Sequence, residues 1–323
     1  MLKTLRYTLI LFLTLYSVNS YAQKNNQIDS LLKRITNEQN KEQVDLLNKL
    51  SASYYRAENR ETKDSAKYFS QKAINIAQKI GYKDGLAEAF YEIGKYYIGI
   101  EYKPALATNY LLKGLELFTV LKNKPGMAKC YMQLGLVSYL IQYYQTAIKN
   151  FKLSITAKDE PTSNYLLALA YIEVDSFLLA KKYFATSISQ FSKLNSPERV
   201  EECYLWLGRL YLKTGETDSA FFYINKTIVA AEIRNDNDRL VRPYAFISGA
   251  YLNTGNLDKA IIYGEKSLDF LAKRTQSQDD DIVFEAAWAI TNIASTSHTS
   301  AVACAAPSLI PLLVSHNKKV REQ

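Results

Sequence analysis

Between residues 44 and 273, apolar and small residues recur three and four places apart, the spacing that keeps side chains on one face of a 3.6-residue helix. The stretches repeat a phrase: an aromatic or apolar residue, three places on an apolar and a small residue, three more places on an aromatic, and about a dozen residues after the small residue an alanine. The clearest copies are Tyr131, Leu134 and Gly135 with Ala147 and Phe151; Leu167 and Ala168 with Tyr171, Ala180 and Phe184; Tyr204, Leu207 and Gly208 with Tyr211 and Ala220; and Tyr244, Ile247 and Ser248 with Tyr251 and Ala260. Looser copies precede them, at Leu47, Leu50, Ser51 and Tyr54 with Ala66, and at Phe90, Ile93, Gly94 and Tyr97 with Ala107. The six alanines fall at intervals of 41, 40, 33, 40 and 40 residues. Each copy predicts two antiparallel helices, six pairs in all. A small residue in each helix, such as Gly208 and Ala220, lets the backbones approach while large residues fill the space alongside. Gly215 and Gly255 supply helix-ending turns. The fold class is all-α.

The phrase resembles the tetratricopeptide repeat over residues 44–273, with a 40-residue period longer than the usual 34, as in the subgroup with an extended second helix. The departures are a three-residue insertion before Ala66, a one-residue insertion before Ala107, and Asn164 where a large apolar residue is expected. The resemblance implies an α-solenoid of about six helix pairs whose first helices line a concave groove, where family members hold an extended or helical peptide. Carried over unit by unit, the groove positions are Tyr91 and Lys95; Lys129, Met132 and Tyr139; Tyr165; Trp206 and Arg209; and Arg242 and Phe246. Aromatics and Arg dominate binding at interfaces, at about 2 kcal/mol or more for a hot spot. The other reading of each residue is packing between neighbouring pairs. The Asn and Lys by which some members clamp a C-terminal carboxylate do not appear at these positions.

After Arg274 the phrase stops, and no tyrosine occurs in the remaining chain. Residues 284–295, with Trp288 and Asn292, resemble the third helix of an armadillo repeat of importin alpha, and 307–323 resembles the start of the next repeat. The resemblance implies that Trp288 packs on a lysine stem and that Asn292 holds a peptide backbone. One and a fraction repeats do not close a core, so the expectation is a partial armadillo-like helical C-terminus that caps or hangs from the solenoid.

Residues 1–22 have a basic start at Lys3 and Arg6, an apolar run from Leu9 to Leu15, and Ser20 and Ala22 before Gln23, the layout of a signal peptide. The expected organisation is therefore a signal peptide (1–22), a lead-in (23–43), a tetratricopeptide superhelix (44–275) and an armadillo-like segment (276–323). An export signal and a nuclear-import fragment imply incompatible compartments, which points to a fusion, a chimera or a gene-model artefact. Net charge is +8, without the runs of Lys and Arg expected of a nucleic-acid binder. Cys130 and Cys203 sit at core-like positions and read as small buried hydrophobes. Both histidines, His298 and His316, lie in the terminal segment, and no phosphate loop, paired-cysteine motif or serine elbow occurs. The expectation is a non-enzymatic scaffold, without cofactor or metal, that binds a protein or peptide through the groove. It is exported to the periplasm or envelope, as in the sensor part of an envelope signalling protein. The alternative is a cytoplasmic or nuclear import adaptor that binds lysine-rich peptides through Trp288 and Asn292.

Overall fold

The computed structural model describes residues 28–35, 39–56 and 60–273. The signal-like residues 1–22 and the armadillo-like segment, with Trp288 and Asn292, lie outside the described residues.

Every regular element among the described residues is a helix. A short α1 (28–33) precedes α2 (Lys41–Tyr55), α3 (Arg60–Ile80), α4 (Lys83–Gly99), α5 (Pro104–Val120), α6 (Lys124–Leu140), α7 (Tyr144–Ala157) and α8 (Pro161–Glu173). There follow α9 (Phe177–Lys193), α10 (Pro197–Lys213), α11 (Thr217–Arg234), a 3-10 turn (Asn237–Arg239), α12 (Val241–Asn253) and α13 (Leu257–Lys273). Five of the six expected pairs pack within the units: α2/α3, α4/α5, α6/α7, α10/α11 and α12/α13. The chain divides into two compact units, Met1–Ala170 and Tyr171–Gln323.

The short interval of 33 residues has a simple cause: α7 has 14 residues and α8 has 13, against 17 in each of α5 and α6. Asn164 falls in the first turn of this shortened α8. It is buried, and its Nδ2 donates to Asp159 Oδ1 at 2.6 Å, so the amide ties the helix start to the preceding loop instead of filling an apolar site.

In the first unit, Ala66, Ala107 and Ala147 are at most 1% exposed, as the close approach of paired helices requires. In five of the six copies the facing residue on the first helix follows a size rule, Ala168 with Phe184 being the exception. It is glycine where the second-helix residue four places after the alanine is large: a Cβ on Gly94 would lie 2.8 Å from Leu111 Cγ, and one on Gly135 2.6 Å from Phe151 Cδ1. It is serine where that residue is small. Ser51, with Ser70 opposite, donates to the Ala66 carbonyl at 2.9 Å.

The second unit follows the same rule. A Cβ on Gly208 would meet Ile224 Cγ1 at 2.4 Å. Ser248 stands with Gly264 four places after Ala260, and its hydroxyl donates to the Ala260 carbonyl at 2.7 Å. Glycine thus makes room for a large neighbour, and serine satisfies a carbonyl where the neighbour leaves space.

A second repeated device joins the outer ends of the pairs. The first-helix tyrosine of the phrase stacks on a tyrosine of the second helix: Tyr97 on Tyr110 (5.6 Å, 12°), Tyr171 on Tyr183 (5.6 Å, 18°), Tyr211 on Tyr223 (5.5 Å, 4°) and Tyr251 on Tyr263 (5.5 Å, 17°). A lysine ammonium lies over each of these stacks: Lys67 over Tyr97, Lys182 over Tyr183, Lys181 over Tyr211 and Lys259 over Tyr251.

The helices end in left-handed residues. Gly81, Gly215 and Gly255 have φ of 68°, 78° and 75°, while Lys122, Gln142, Asp175 and Asn195 adopt the same region without being glycine. At the α4–α5 turn, Glu101 takes hydrogen bonds from Lys103 and, at 2.6 Å, from Lys67, and these hold its carboxyl down at about 2. A carboxylate whose pKa falls on folding stabilises the protein above its ordinary range, and the contribution is lost as pH falls toward 2. Both lysines are substantially exposed, so Glu101→Gln is expected to cost only about 1 kcal/mol at neutral pH. In urea melts followed by circular dichroism, the variant's stability is expected to decline less steeply than the parent's between about pH 4 and 2. Parallel pH profiles would contradict the assignment.

Candidate binding cleft on the first helices

In the first unit, α2, α4 and α6 are the first helices of three successive pairs, and each touches the next. Between them, closed at one side by Leu31 of α1, lies a cleft of about 550 Å³. The wall on α2 is built at helical spacing by Asp45, Lys49, Ala52 and Arg56, with Asn48 beside them; the opposite wall is Glu88, Tyr91, Glu92 and Lys95 of α4, with Lys129 from α6.

The α4 side is a self-neutralised lattice. Lys129 Nζ lies 2.9 Å from both carboxylate oxygens of Glu88, and Lys95 Nζ 2.9 Å from Glu92 Oε2. The Tyr91 ring, 6% exposed, carries the ammonium groups of Lys95 at 5.2 Å and Lys129 at 5.0 Å. Lys95 also lies 4.6 Å from the Tyr55 ring centroid, which ties α4 to α2. Burial raises the Glu92 carboxyl above its ordinary value against the pull of Lys95. Burial likewise pushes the Tyr91 phenol well up, which keeps it neutral.

The α2 side is different. Lys49 and Arg56 are exposed and have no ion-pair partner among the described residues. Asp45 accepts a long 3.5 Å hydrogen bond from the Tyr82 hydroxyl, and burial raises its carboxyl pKa. Asn48 donates from Nδ2 to the Gly85 carbonyl at 2.9 Å, while its Oδ1 is buried without a partner. A buried acceptor left unpaired costs about 1–3 kcal/mol, which a donor entering the cleft would relieve.

The second unit holds a cleft of its own, of about 610 Å³, between the α9–α10 turn and α11, with Glu201, Tyr204 and Lys226 in its lining. Glu201 is 6% exposed and forms a two-point ion pair with Arg234. Cys130 and Cys203 are fully buried, and burial pushes both thiols up to about 12, which removes them as nucleophiles. Among the described residues no cluster of His, Cys, Asp and Glu could hold a metal ion, and no helix is long and apolar enough to cross a membrane.

A tetratricopeptide-repeat family model matches residues 201–228, most of α10 and the first two-thirds of α11. The α10/α11 pair is thus similar to a tetratricopeptide repeat. Solved structures of similar fold include BtubC from P. vanneervenii, 16% identical, covering 65% of this chain and 91% of that one with a TM-score of 0.56. A Rap protein complexed with competence and sporulation factor is 16% identical over 93% of this chain and 85% of its own, with a TM-score of 0.59. The apo form of the quorum sensor NprR from B. thuringiensis is 14% identical over 78% of each chain, with a TM-score of 0.54. Sequence comparison gives no significant similarity to any curated protein.

Across the helix pairs, the groove positions separate. Tyr91, Lys95 and Lys129 come together in the cleft of the first unit. Met132 and Tyr139, half-buried on α6, lie outside its lining, and the Tyr139 ring packs edge-on against Tyr144 at 5.6 Å. Tyr165, on α8, is 8% exposed and lies outside the lining of that cleft. In the second unit, the Arg209 guanidinium lies 4.9 Å over the half-buried Trp206 ring, and Arg242 and Phe246 are half-buried on α12. The sequence reading missed the whole α2 wall, Asp45, Asn48, Lys49 and Arg56. The signal was present for three of them, since Asp45, Asn48 and Lys49 bear the same spacing to Ser51 as Glu88, Tyr91 and Glu92 bear to Gly94, but the first copy of the phrase is the loosest.

Proposed function

We propose that this chain is a non-enzymatic scaffold that binds a peptide or protein segment in the cleft formed by α2, α4 and α6. The observation that carries the reading is the asymmetry of that cleft. One wall satisfies its own charges and presents a fixed aromatic floor, while the other keeps two exposed cations outside any ion pair among the described residues and a buried acceptor without a donor. Such a surface is pre-organised on one side and incomplete on the other, as a binding site for a polar chain would be. A Rap protein in complex with competence and sporulation factor and a quorum sensor are similar in fold, which supports the reading. We propose further that the chain is exported and serves as the sensor part of an envelope signalling protein; the signal-like layout of residues 1–22 supports this.

Panning a displayed random peptide library against the purified chain tests the binding role. The expected result is enriched peptides with Kd near about 1 μM whose affinity drops about tenfold in the exposed double variant Lys49→Glu, Arg56→Glu. Failure to enrich any peptide, or peptides indifferent to the change, would contradict it.

A further inference from the structure

We propose that the cleft takes a short extended peptide segment of dipolar charge, its basic group at the Asp45 end and its acidic group at the Arg56 end. This rests on the cleft being the peptide site. The first observation is the order of charge along the walls. As first helices of successive antiparallel pairs, α2 and α4 run in the same direction, so their sequences grade across the cleft together. On α2 the acid Asp45 precedes Lys49 and Arg56; on α4 Glu92 precedes Lys95. Lys95 and Glu92 neutralise each other at 2.9 Å. The charges without an ion-pair partner among the described residues are then Asp45 at one end, with Lys49 one turn further on and acting on it, and Arg56 at the other. Asp45 and Arg56 lie roughly 16 Å apart along the helix axis, the span of about five extended residues.

The second observation is Asn48, one turn from Asp45. Its Oδ1 is buried without a donor while its Nδ2 is fixed by Gly85. An extended backbone brings N–H groups at regular intervals, whereas an inorganic anion drawn to Lys49 and Arg56 brings none. Together these features favour a peptide of opposed end charges over a simple anion.

Two dye-labelled peptide libraries with blocked termini would be titrated against the full chain by fluorescence anisotropy. They differ only in the order of two fixed residues, Lys and Glu, about four residues apart. One order is expected to bind about tenfold more tightly than the other, with the difference shrinking at high salt. The charge-exchanged variant Asp45→Lys, Arg56→Glu is expected to reverse the preference. Arg56→Glu alone, at an exposed position, is expected to erase most of it and keeps the test decisive if the double variant folds poorly. Equal binding of the two orders, or a preference that survives the exchange, would overturn the dipolar assignment while leaving the peptide reading standing. Binding of neither library would overturn both.

Discussion

Replacing Phe151 with alanine is expected to remove about 3–5 kcal/mol of stability from the first unit. The side chain is completely buried in α7, and its ring edge lies against the α-carbon of Gly135, so close that a Cβ there would fall 2.6 Å from Cδ1 and Cε1. The ring fills the space that the glycine leaves, and deletion opens a cavity between α6 and α7 that rigid helices cannot collapse. Against a total of about 5–15 kcal/mol for a domain, this is a large loss. Because repeat arrays lose cooperativity, the expected signature in urea is an early helical transition preceding the rest of the melt. A single transition at the parent midpoint would contradict it. Gly135→Ala is expected to be costly alone and much less costly in the Phe151→Leu background, where the smaller side chain frees the position.

Gly208→Val carries the second large effect. The Cβ alone would fall 2.4 Å from Ile224 Cγ1, inside the pair α10/α11, and Ile224 is fully buried with nowhere to retreat. Overpacking of this kind costs about 1–3 kcal/mol, and the better helix propensity of a non-glycine residue offsets less than about 1 kcal/mol of it. The size rule gives a sharper form. Serine occupies the equivalent place at Ser51 and Ser248, where Ser70 and Gly264 stand in the position of Ile224. Gly208→Ser is therefore expected to destabilise the parent but to be nearly free of further cost in an Ile224→Ala background, as read from a double-mutant cycle by urea denaturation. Additive effects would mean that the glycine is not there to make room.

The fold was legible because its signal is redundant. Six alanines at near-constant intervals, each twelve to fifteen residues after a small residue, leave few alternatives to paired helices. The departures were legible as departures but not in their causes. Asn164 looked like a failed apolar position, and only the shortened α8 shows that it secures a helix start. The second-helix tyrosines Tyr110, Tyr183, Tyr223 and Tyr263 stand at regular distances after the phrase, yet a pattern read one helix at a time does not pair them with the first-helix rings. The cleft was half legible. Tyr91, Lys95 and Lys129 could be carried over by position, whereas Asp45, Asn48, Lys49 and Arg56 could not, because polar residues on a degenerate repeat are indistinguishable from a solvated face until the opposing helix is in place.

Hydrogen–deuterium exchange of the full chain, with and without a peptide enriched by panning, tests the central claim most directly. The expected result is slowed exchange in α2 and α4, with residues 41–55 and 83–99 protected and α10 to α12 unchanged. Protection confined to α10–α12, or to residues after 273, with the cleft untouched would place binding elsewhere and contradict the account.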